Sequence, residues 1–164
     1  MEIREATEAE HDEVGRVTAD AYRGLVKEDS YLARIADVGE RASRTQILVA
    51  VDDGGAVLGS LTLELERRVN PDDDPLDARV AHIRMLGVAP TAQGRGIGTA
   101  LMVEAERRAR AAGKAEVTLH TTRWMRGAQA LYDRLGYERL PDEVLPDGFV
   151  LLGYRKELGA ASDV

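Results

Sequence analysis

The sequence predicts an α/β domain in which helices cover both faces of a mixed β-sheet. Strand-like and helical segments alternate along the chain, and the last segments have the pattern of a hairpin. The clearest unit is an alternating strand, Val80–Val88, followed by a glycine-rich loop and an amphipathic helix. A chain of 164 residues is long enough for one domain with its own core. We therefore predict a single domain over residues 1–158 and a loose tail over residues 159–164.

The predicted strands are apolar or alternating segments bounded by turn residues. They are Glu2–Ala6, Gln46–Val51, Ala56–Leu65, Arg79–Val88, Glu116–Thr121, and a closing hairpin of Tyr137–Leu140 with Phe149–Arg155. The Asp52–Gly55 turn joins the second strand to the third. Gly59 and Gly87 predict a bulge or a close backbone approach. The strand period places four side chains of the central strand on one face: His82, Arg84, Leu86 and Val88.

Helices are predicted where apolar side chains recur at helical spacing. Thr7 and Glu10 form a capping box before the first helix. The first helix has the apolar stripe Val14, Val17, Ala21 and Leu25, with Gly24 near its end, and the second has Tyr31, Leu32, Ile35 and Val38 and is closed by Gly39 or a later turn. The stripe of the third helix is Ile97, Leu101 and Ala105. The fourth helix follows a cap at Thr122 and has the stripe Ala128, Leu131, Tyr132 and Leu135. The third helix is predicted to end at about Ala112, with Gly113 as its C-cap, and Gly136 is the predicted C-cap of the fourth helix. Two pairs of opposite charge, Glu104–Arg108 and Glu106–Arg110, are predicted on the solvent side of the third helix.

Composition narrows the classes of function. The net charge is −7 and the isoelectric point is about 5.0, which argues against broad nucleic-acid binding. The absence of cysteine excludes disulfides, thiolate metal sites and a cysteine nucleophile. No apolar run is long enough for a signal peptide or a membrane span, so we expect a soluble cytoplasmic protein. The three histidines lack the spacing of metal ligands, so no metal site is predicted.

The loop after the central strand carries a glycine at every second position, Gly94, Gly96 and Gly98. Glycine lets a backbone approach a ligand closely, and a helix that starts there presents unpaired N–H groups to an anion. Gln93 and Arg95 add side-chain donors. The loop therefore predicts a phosphate site. A dinucleotide fingerprint fails because Thr99 stands where its last glycine should be, and a P-loop fails because no Gly-Lys-Ser/Thr follows.

The pattern Gln-x-x-Gly-x-Gly, from Gln93 to Gly98, resembles the acetyl-CoA pyrophosphate loop of the GNAT superfamily of N-acetyltransferases. The resemblance implies a mostly antiparallel sheet with splayed central strands, and a pantetheine arm that pairs with the backbone near Gly87 like an added strand. It also implies acetyl-CoA as cofactor. The implied cofactor-binding residues are Leu86, Gly87, Val88, Gln93, Gly94, Arg95, Gly96, Ile97, Gly98, Thr99 and Met125. Met125 departs from the family, which often has an asparagine there that can hydrogen-bond the cofactor.

Ala128 to Tyr137 resembles the second signature of the family, A-x-x-L-Y-x-x-x-G-F/Y. It puts the family's tyrosine at Tyr132, where a phenol could protonate the leaving thiolate, although a buried aromatic in the core would have the same pattern. The position of the carboxylate base found in some members is taken by His82, which titrates in a useful range. An ordinary histidine on a sheet face, with proton removal through water, is the alternative. His120 is a weaker candidate base.

For the residues that would bind the acceptor amine, the sequence leaves alternatives open. The first two helices, with Tyr22 and Tyr31, either pack plainly or form one wall of the acceptor pocket, as the resemblance implies. Arg84 either binds an acidic group of the acceptor or pairs with a glutamate. Glu64, Glu66 and the acidic loop Asn70–Asp77 suggest a cationic acceptor. The predicted function is acetyl transfer to a primary amine of a small molecule or peptide in a ternary complex, without nucleic acid or membrane. The alternative function is an acyl-CoA sensor or an inactive member of the family. A nucleotide-binding module is disfavoured, because the dinucleotide and P-loop patterns both fail. The resemblance is also compatible with a homodimer.

Overall fold

The computed structural model describes residues 1–23, 25 and 29–159. The strands are β1 Glu2–Glu5, β2 Gln46–Val51, β3 Val57–Glu64, β4 Val80–Val88, β5 Glu116–Thr121, β6 Glu138–Arg139, β7 Glu143–Val144 and β8 Val150–Glu157. The helices are α1 His11–Tyr22, α2 Asp29–Ala36, α3 Val38–Ala42, α4 Ile97–Ala111 and α5 Arg126–Arg134. Short 3-10 turns precede α1, at Glu8–Glu10, and α4, at Pro90–Ala92. None of the helices in this part of the chain has the length and apolarity needed to span a membrane.

The strands form one mixed sheet in the order β1-β2-β3-β4-β5-β8-β6, and β7 pairs separately with β8. Every neighbouring pair is antiparallel except β4 and β5, which run parallel. The parallel pair separates part of the way along: pairing covers Val80–Ile83 against Glu116–Leu119, while both strands continue further. The mixed, mostly antiparallel sheet and the splayed central strands are therefore confirmed.

Helices cover both faces of this sheet because the strand period divides its apolar side chains into two sets. Leu48 and Ala50 of β2 lie in the main core with Leu101 of α4. Val49 of β2 lies on the opposite face with Val14 of α1. A third apolar cluster lies beside β4 and joins α1 to α2; it contains Ala19, Tyr22, Ile35, Val69 and Met85. The core is thus built from both faces of a buried sheet.

A β-bulge in β4 changes the predicted orientation of its side chains. Ser60 lies opposite Gly87 and Thr62 lies opposite Arg84, so the single residue Leu61 faces two residues of β4. One of the two is Met85, whose φ of 56° is in the left-handed region. An extra residue in one strand reverses the alternation beyond it.

The prediction that four alternating residues of β4 share a face is therefore wrong. Before the bulge, Ile83 packs in the main core on the α4 side, so His82 and Arg84 lie on the opposite side. Beyond the bulge, Leu86 and Val88 pack against the main core. The bulge thus gives the α4 side of β4 its apolar end, and it leaves the two polar side chains on the α1 side.

Three smaller predictions about the helices need correction. Of the two predicted ends of the second helix, Gly39 is wrong, because it lies inside α3; the predicted helix is divided at Asp37, and α3 ends later, at Ala42. Helix α5 is capped by Met125 rather than Thr122. Glu106 is not on the solvent side of α4, because it is buried against Tyr137 and Lys156. The Gly24 position and residues 160–164 of the predicted tail lie outside the described residues.

Candidate active site

The glycine loop has the backbone geometry that an anion site requires. Gly94 and Gly96 have φ values of 81° and 78°, and a side chain added at either position would meet open space. Gly96 is the N-cap of α4, and Ala100 donates the first helical hydrogen bond back to its carbonyl. The N–H groups of the first turn, Ile97 to Thr99, therefore have no acceptor within the helix. Exposed backbone donors and a helix dipole converge at this point.

Gly98 has a different role from the other two loop glycines. A Cβ atom at this position would lie 3.2 Å from Leu131 Cδ2 and 3.9 Å from Val88 Cγ2. The missing side chain lets the start of α4 pack closely against α5 and the end of β4. A substitution at Gly98 therefore perturbs helix packing as well as any ligand, whereas one at Gly96 does not.

The splayed ends of β4 and β5 lie beside this loop and leave a gap between the two strands. Gly87 lies on the β4 edge, and its α1 side is closed because an added Cβ would be 3.0 Å from Ala21 Cβ. Gln93 donates a long hydrogen bond, 3.5 Å, from its side-chain nitrogen to the Val88 carbonyl, which ties the loop to β4. The structure thus brings together the predicted residues of β4 and the glycine loop. Met125 packs against the cluster beside β4, which contains Met85 of the part of that strand that does not pair with β5.

Tyr132 lies in the main core with only 4% of its surface exposed. Its ring packs at 5.9 Å from the Tyr137 ring and 5.4 Å from the Tyr154 ring, measured between centroids. Among the described residues, no group hydrogen-bonds its hydroxyl, whereas the Tyr137 hydroxyl donates to Glu106 Oε2 at 2.9 Å. Burial raises the pKa of the Tyr132 phenol, so it keeps its proton at neutral pH. The group is available as a proton donor.

The tyrosines of the first two helices lie on the α1 side of β4. Tyr22 and Tyr31 are in edge contact, with ring centroids 6.3 Å apart, and both belong to the cluster that contains Met85 and Met125. Burial raises the pKa of Tyr22, and the Tyr31 and Tyr132 phenols raise it further. An acceptor role for both tyrosines remains a prediction.

His82 is buried on β4, with 3% of its surface exposed. Its Nδ1 lies 2.6 Å from Thr118 Oγ1 on β5, and its ring centroid lies 5.2 Å from that of His120. Burial lowers the pKa of His82 well below its ordinary value, and Arg84, His120 and Arg68 lower it further. Burial also lowers the pKa of His120, which Glu143 opposes from 3.7 Å. His82 is therefore neutral at physiological pH, and His120 lies between it and the exposed Glu143.

Arg84 is held by carboxylates of the protein. Its Nε donates to Glu64 Oε1 at 2.9 Å and its Nη2 donates to Asp73 Oδ2 at 3.0 Å. The fully buried Glu64 also accepts from Arg68 Nη2 and the Val69 N–H. Of the two alternatives for Arg84, the structure therefore shows pairing with a glutamate. The same pairs compensate two of the carboxylates on which the expectation of a cationic acceptor depends.

Sequence reasoning missed a surface cavity beside Trp124. Its volume is about 370 Å³, and its lining includes Arg123, Trp124, Asp147 and Phe149. The Trp124 and Phe149 rings are 5.9 Å apart, and 55% of the Trp124 surface is exposed. These are the only tryptophan and the only phenylalanine of the chain, and their rarity was the one available signal. Within the described ranges, no group of three or more acidic or histidine side chains is arranged to hold a metal ion.

The sequence of this chain matches a known protein family and two curated proteins. A sequence model of the Acetyltransferase (GNAT) family matches residues 11–137. A mycothiol acetyltransferase of Salinispora tropica is 32% identical over 144 residues, which cover 75% of this chain and 45% of that protein. The chain spans less than half the length of the curated relatives it matches.

Solved structures share the fold at low sequence identity. The Salmonella typhimurium protein yncA, solved with its cofactor acetyl-CoA, has a TM-score of 0.69 and 18% identity over 100% of this chain and 97% of its own. An aminoglycoside 6′-N-acetyltransferase complexed with coenzyme A has a TM-score of 0.74 and 15% identity over 99% of this chain and 100% of its own.

Proposed function

Because the chain belongs to the GNAT acetyltransferase family, we propose that it transfers an acetyl group from acetyl-CoA to a primary amine by direct attack in a ternary complex. The acceptor is a small molecule or a peptide. The observation that carries the proposal is the glycine loop at the start of α4, beside the gap between β4 and β5. Backbone donors at the loop suit the pyrophosphate, and the gap suits an extended arm that leads from the phosphates into the core.

Acetyl-CoA as the cofactor has two supports besides the family. Two solved proteins with this fold contain acetyl-CoA or coenzyme A. In this chain, Gly94 and Gly96 adopt left-handed conformations with open space above them, as a backbone needs to approach a phosphate. The residues present therefore fit the cofactor. When bound, it supplies a thioester carbonyl that an amine can attack.

The residues on the α1 side of β4 are suited to the acceptor amine. The amine must lose a proton as its nitrogen bonds to the carbonyl carbon. His82 is neutral, buried and oriented by the Thr118 hydroxyl at 2.6 Å, so we assign it the role of proton acceptor. Because its pKa is lowered, the imidazole is neutral and can accept a proton. His120 and Glu143 lie between it and solvent and could carry the proton outward.

Tyr132 is suited to the other half of the reaction, in which the carbon–sulfur bond breaks. The departing thiolate needs a proton or a strong hydrogen bond. The Tyr132 hydroxyl has no partner among the described residues, and burial keeps it protonated. We assign it the role of proton donor to sulfur.

The proposed function is tested by thiol release from acetyl-CoA in the presence of an amine panel. The panel contains a polyamine, a lysine peptide, a peptide with a free N-terminus and an amino sugar. We expect thiol release that depends on one amine class and yields that amine in acetylated form. Binding of acetyl-CoA without release for any amine would instead support the sensor function. Absence of acetyl-CoA binding would contradict both.

A further inference from the structure

Two buried hydroxyl groups, those of Thr121 and Thr122, have no hydrogen-bond partner among the described residues. Only 4% and 7% of these residues is exposed. A buried hydroxyl without a partner destabilises a fold, so each such group in a native protein needs an explanation. Here the two groups are adjacent, because Thr121 ends β5 and Thr122 is the next residue.

Thr121 lies on the part of β5 that is not paired with β4, and Thr122 follows it directly. The pairing of β5 with β4 ends at Leu119, two residues before Thr121. Thr121 continues the alternation of Val117 and Leu119, whose side chains lie in the main core on the α4 side. Its hydroxyl is therefore on the side of β5 from which the glycine loop and α4 approach. By contrast, Thr118 points to the α1 side, where its hydroxyl bonds His82.

Close to Thr122 in the sequence, position 125 carries a methionine where the family often has an asparagine. The Thr122 carbonyl accepts a hydrogen bond from Gln129 Nε2 at 2.8 Å, so the start of α5 lies against it while its hydroxyl has no partner. Met125, at the position where an asparagine is common, packs against the apolar cluster beside β4. No polar side chain at position 125 is available to serve a ligand in the gap.

We propose that Thr121 and Thr122 hydrogen-bond the amide groups of the pantetheine arm of acetyl-CoA, and so supply the polar groups that Met125 cannot. The proposal rests on the proposed function. An amide offers both a donor and an acceptor, and a hydroxyl can complement either. The site is buried and carries no charge of its own, which suits a neutral amide better than a phosphate. The phosphates would lie at the exposed loop around Gly96.

The test compares valine and serine substitutions at both positions by calorimetry with acetyl-CoA. Thr121→Val and Thr122→Val keep the shape of the side chain and remove the hydroxyl, whereas Thr121→Ser and Thr122→Ser keep the hydroxyl. We expect each valine variant to raise the Kd for acetyl-CoA roughly three- to tenfold, the range for removal of one neutral hydrogen bond. The serine variants should bind like the parent. Adenosine 3′,5′-bisphosphate, which lacks the pantetheine arm, should bind all five proteins alike.

Stability of the free protein separates a ligand contact from a structural one. Removing a hydroxyl that has no partner should leave the Tm of the valine variants unchanged or higher. The matched control is Thr45→Val, whose hydroxyl donates to the Arg41 carbonyl at 2.7 Å; it should lower Tm and leave the Kd for acetyl-CoA unchanged. Parental affinity in both valine variants, or equal weakening with serine and valine, would overturn the proposal. A parent that binds no acetyl-CoA would overturn the proposed function itself and this inference with it.

Discussion

Two neighbouring tyrosines show how the surroundings of single residues separate structure from chemistry. Tyr132 and Tyr137 are both buried in the main core, with rings in contact. The Tyr137 hydroxyl is bonded to the buried Glu106, which also accepts from Lys156 Nζ at 2.9 Å. The Tyr132 hydroxyl has no such partner within the described ranges. The Tyr137 phenol therefore completes a buried polar network, whereas the phenol proposed as the proton donor has no such partner.

We expect Tyr132→Phe to lower kcat by about a hundredfold or more, the usual scale for loss of a general acid, while the Kd for acetyl-CoA changes little. The ring packing stays, so Tm should be nearly parental. The matched control is Tyr137→Phe, which should lose about 1–3 kcal/mol of stability because Glu106 loses a partner, and should keep its kcat. Thiol-release kinetics and thermal melts on the two variants measure both effects. A fully active Tyr132→Phe protein would remove Tyr132 from the mechanism and leave solvent as the donor.

The burial of His82 predicts in which direction the stability of the fold changes with pH. Its pKa is depressed in the folded protein by burial, and by Arg84, His120 and Arg68, which face it from β4, β5 and the segment after β3. The unfolded chain, with an ordinary histidine pKa, takes up a proton near pH 6.5 that the folded protein does not bind. The contribution of His82 to stability is therefore fully present above the unfolded pKa, and it is lost progressively as the pH falls from there towards the lower folded pKa.

We expect the free energy of unfolding to decrease below pH 6.5 with a slope that approaches about 1.4 kcal/mol per pH unit for His82. His82→Gln should flatten this dependence. His120→Gln should flatten it less, because the pKa of His120 is lowered to a smaller extent. Urea denaturation at about pH 7 and about pH 5.5 measures the difference. An equal slope in the parent and in His82→Gln would show that His82 is not buried in its neutral form.

At the scale of elements, the sequence predicted the strands well because their apolar and turn residues carry local signals. The predicted bounds of β2, β5 and β4 agree with the structure to within one residue. Gly59 correctly predicted a close approach, since an added Cβ would lie 2.9 Å from the Gly87 carbonyl oxygen. Turn glycines, caps and alternation depend only on neighbours in sequence, so they can be read without the fold.

The bulge in β4 could not be read in the same way. Its left-handed residue is Met85, a residue type with no preference for that conformation, and the glycine that drew attention to this strand lies two residues later. The error affected the site directly, because it placed Leu86 and Val88 on the face of His82. Only the pairing register with β3 shows that the strand reverses its faces here.

At the scale of the whole molecule, the site depends on the order of strands in the sheet. The parallel pairing of β4 with β5 places His82 opposite Thr118 and brings His120 close to it, although 36 residues separate His82 from Thr118. Local sequence patterns identified these residues one by one, but they could not predict such long-range neighbours. The compensation of Glu64 and Asp73 by Arg84 is of the same kind.

The central claim is that the glycine loop binds the phosphates of acetyl-CoA, and two variants at one position test it most directly. Gly96→Asp and Gly96→Asn add side chains of nearly equal size into open space at a left-handed position, which these two residue types adopt more readily than most others. They differ in charge and in the N–H donors of the amide, and the salt dependence of the difference separates these two causes.

The decisive measurement is calorimetric titration of the parent and both variants with acetyl-CoA. We expect Gly96→Asp to raise Kd roughly tenfold or more above that of Gly96→Asn, because a carboxylate would face phosphate at the start of α4. High salt should reduce the difference, since screening weakens the repulsion. Equal affinity of Gly96→Asp, Gly96→Asn and the parent would contradict the account, because the phosphates would then have to bind elsewhere.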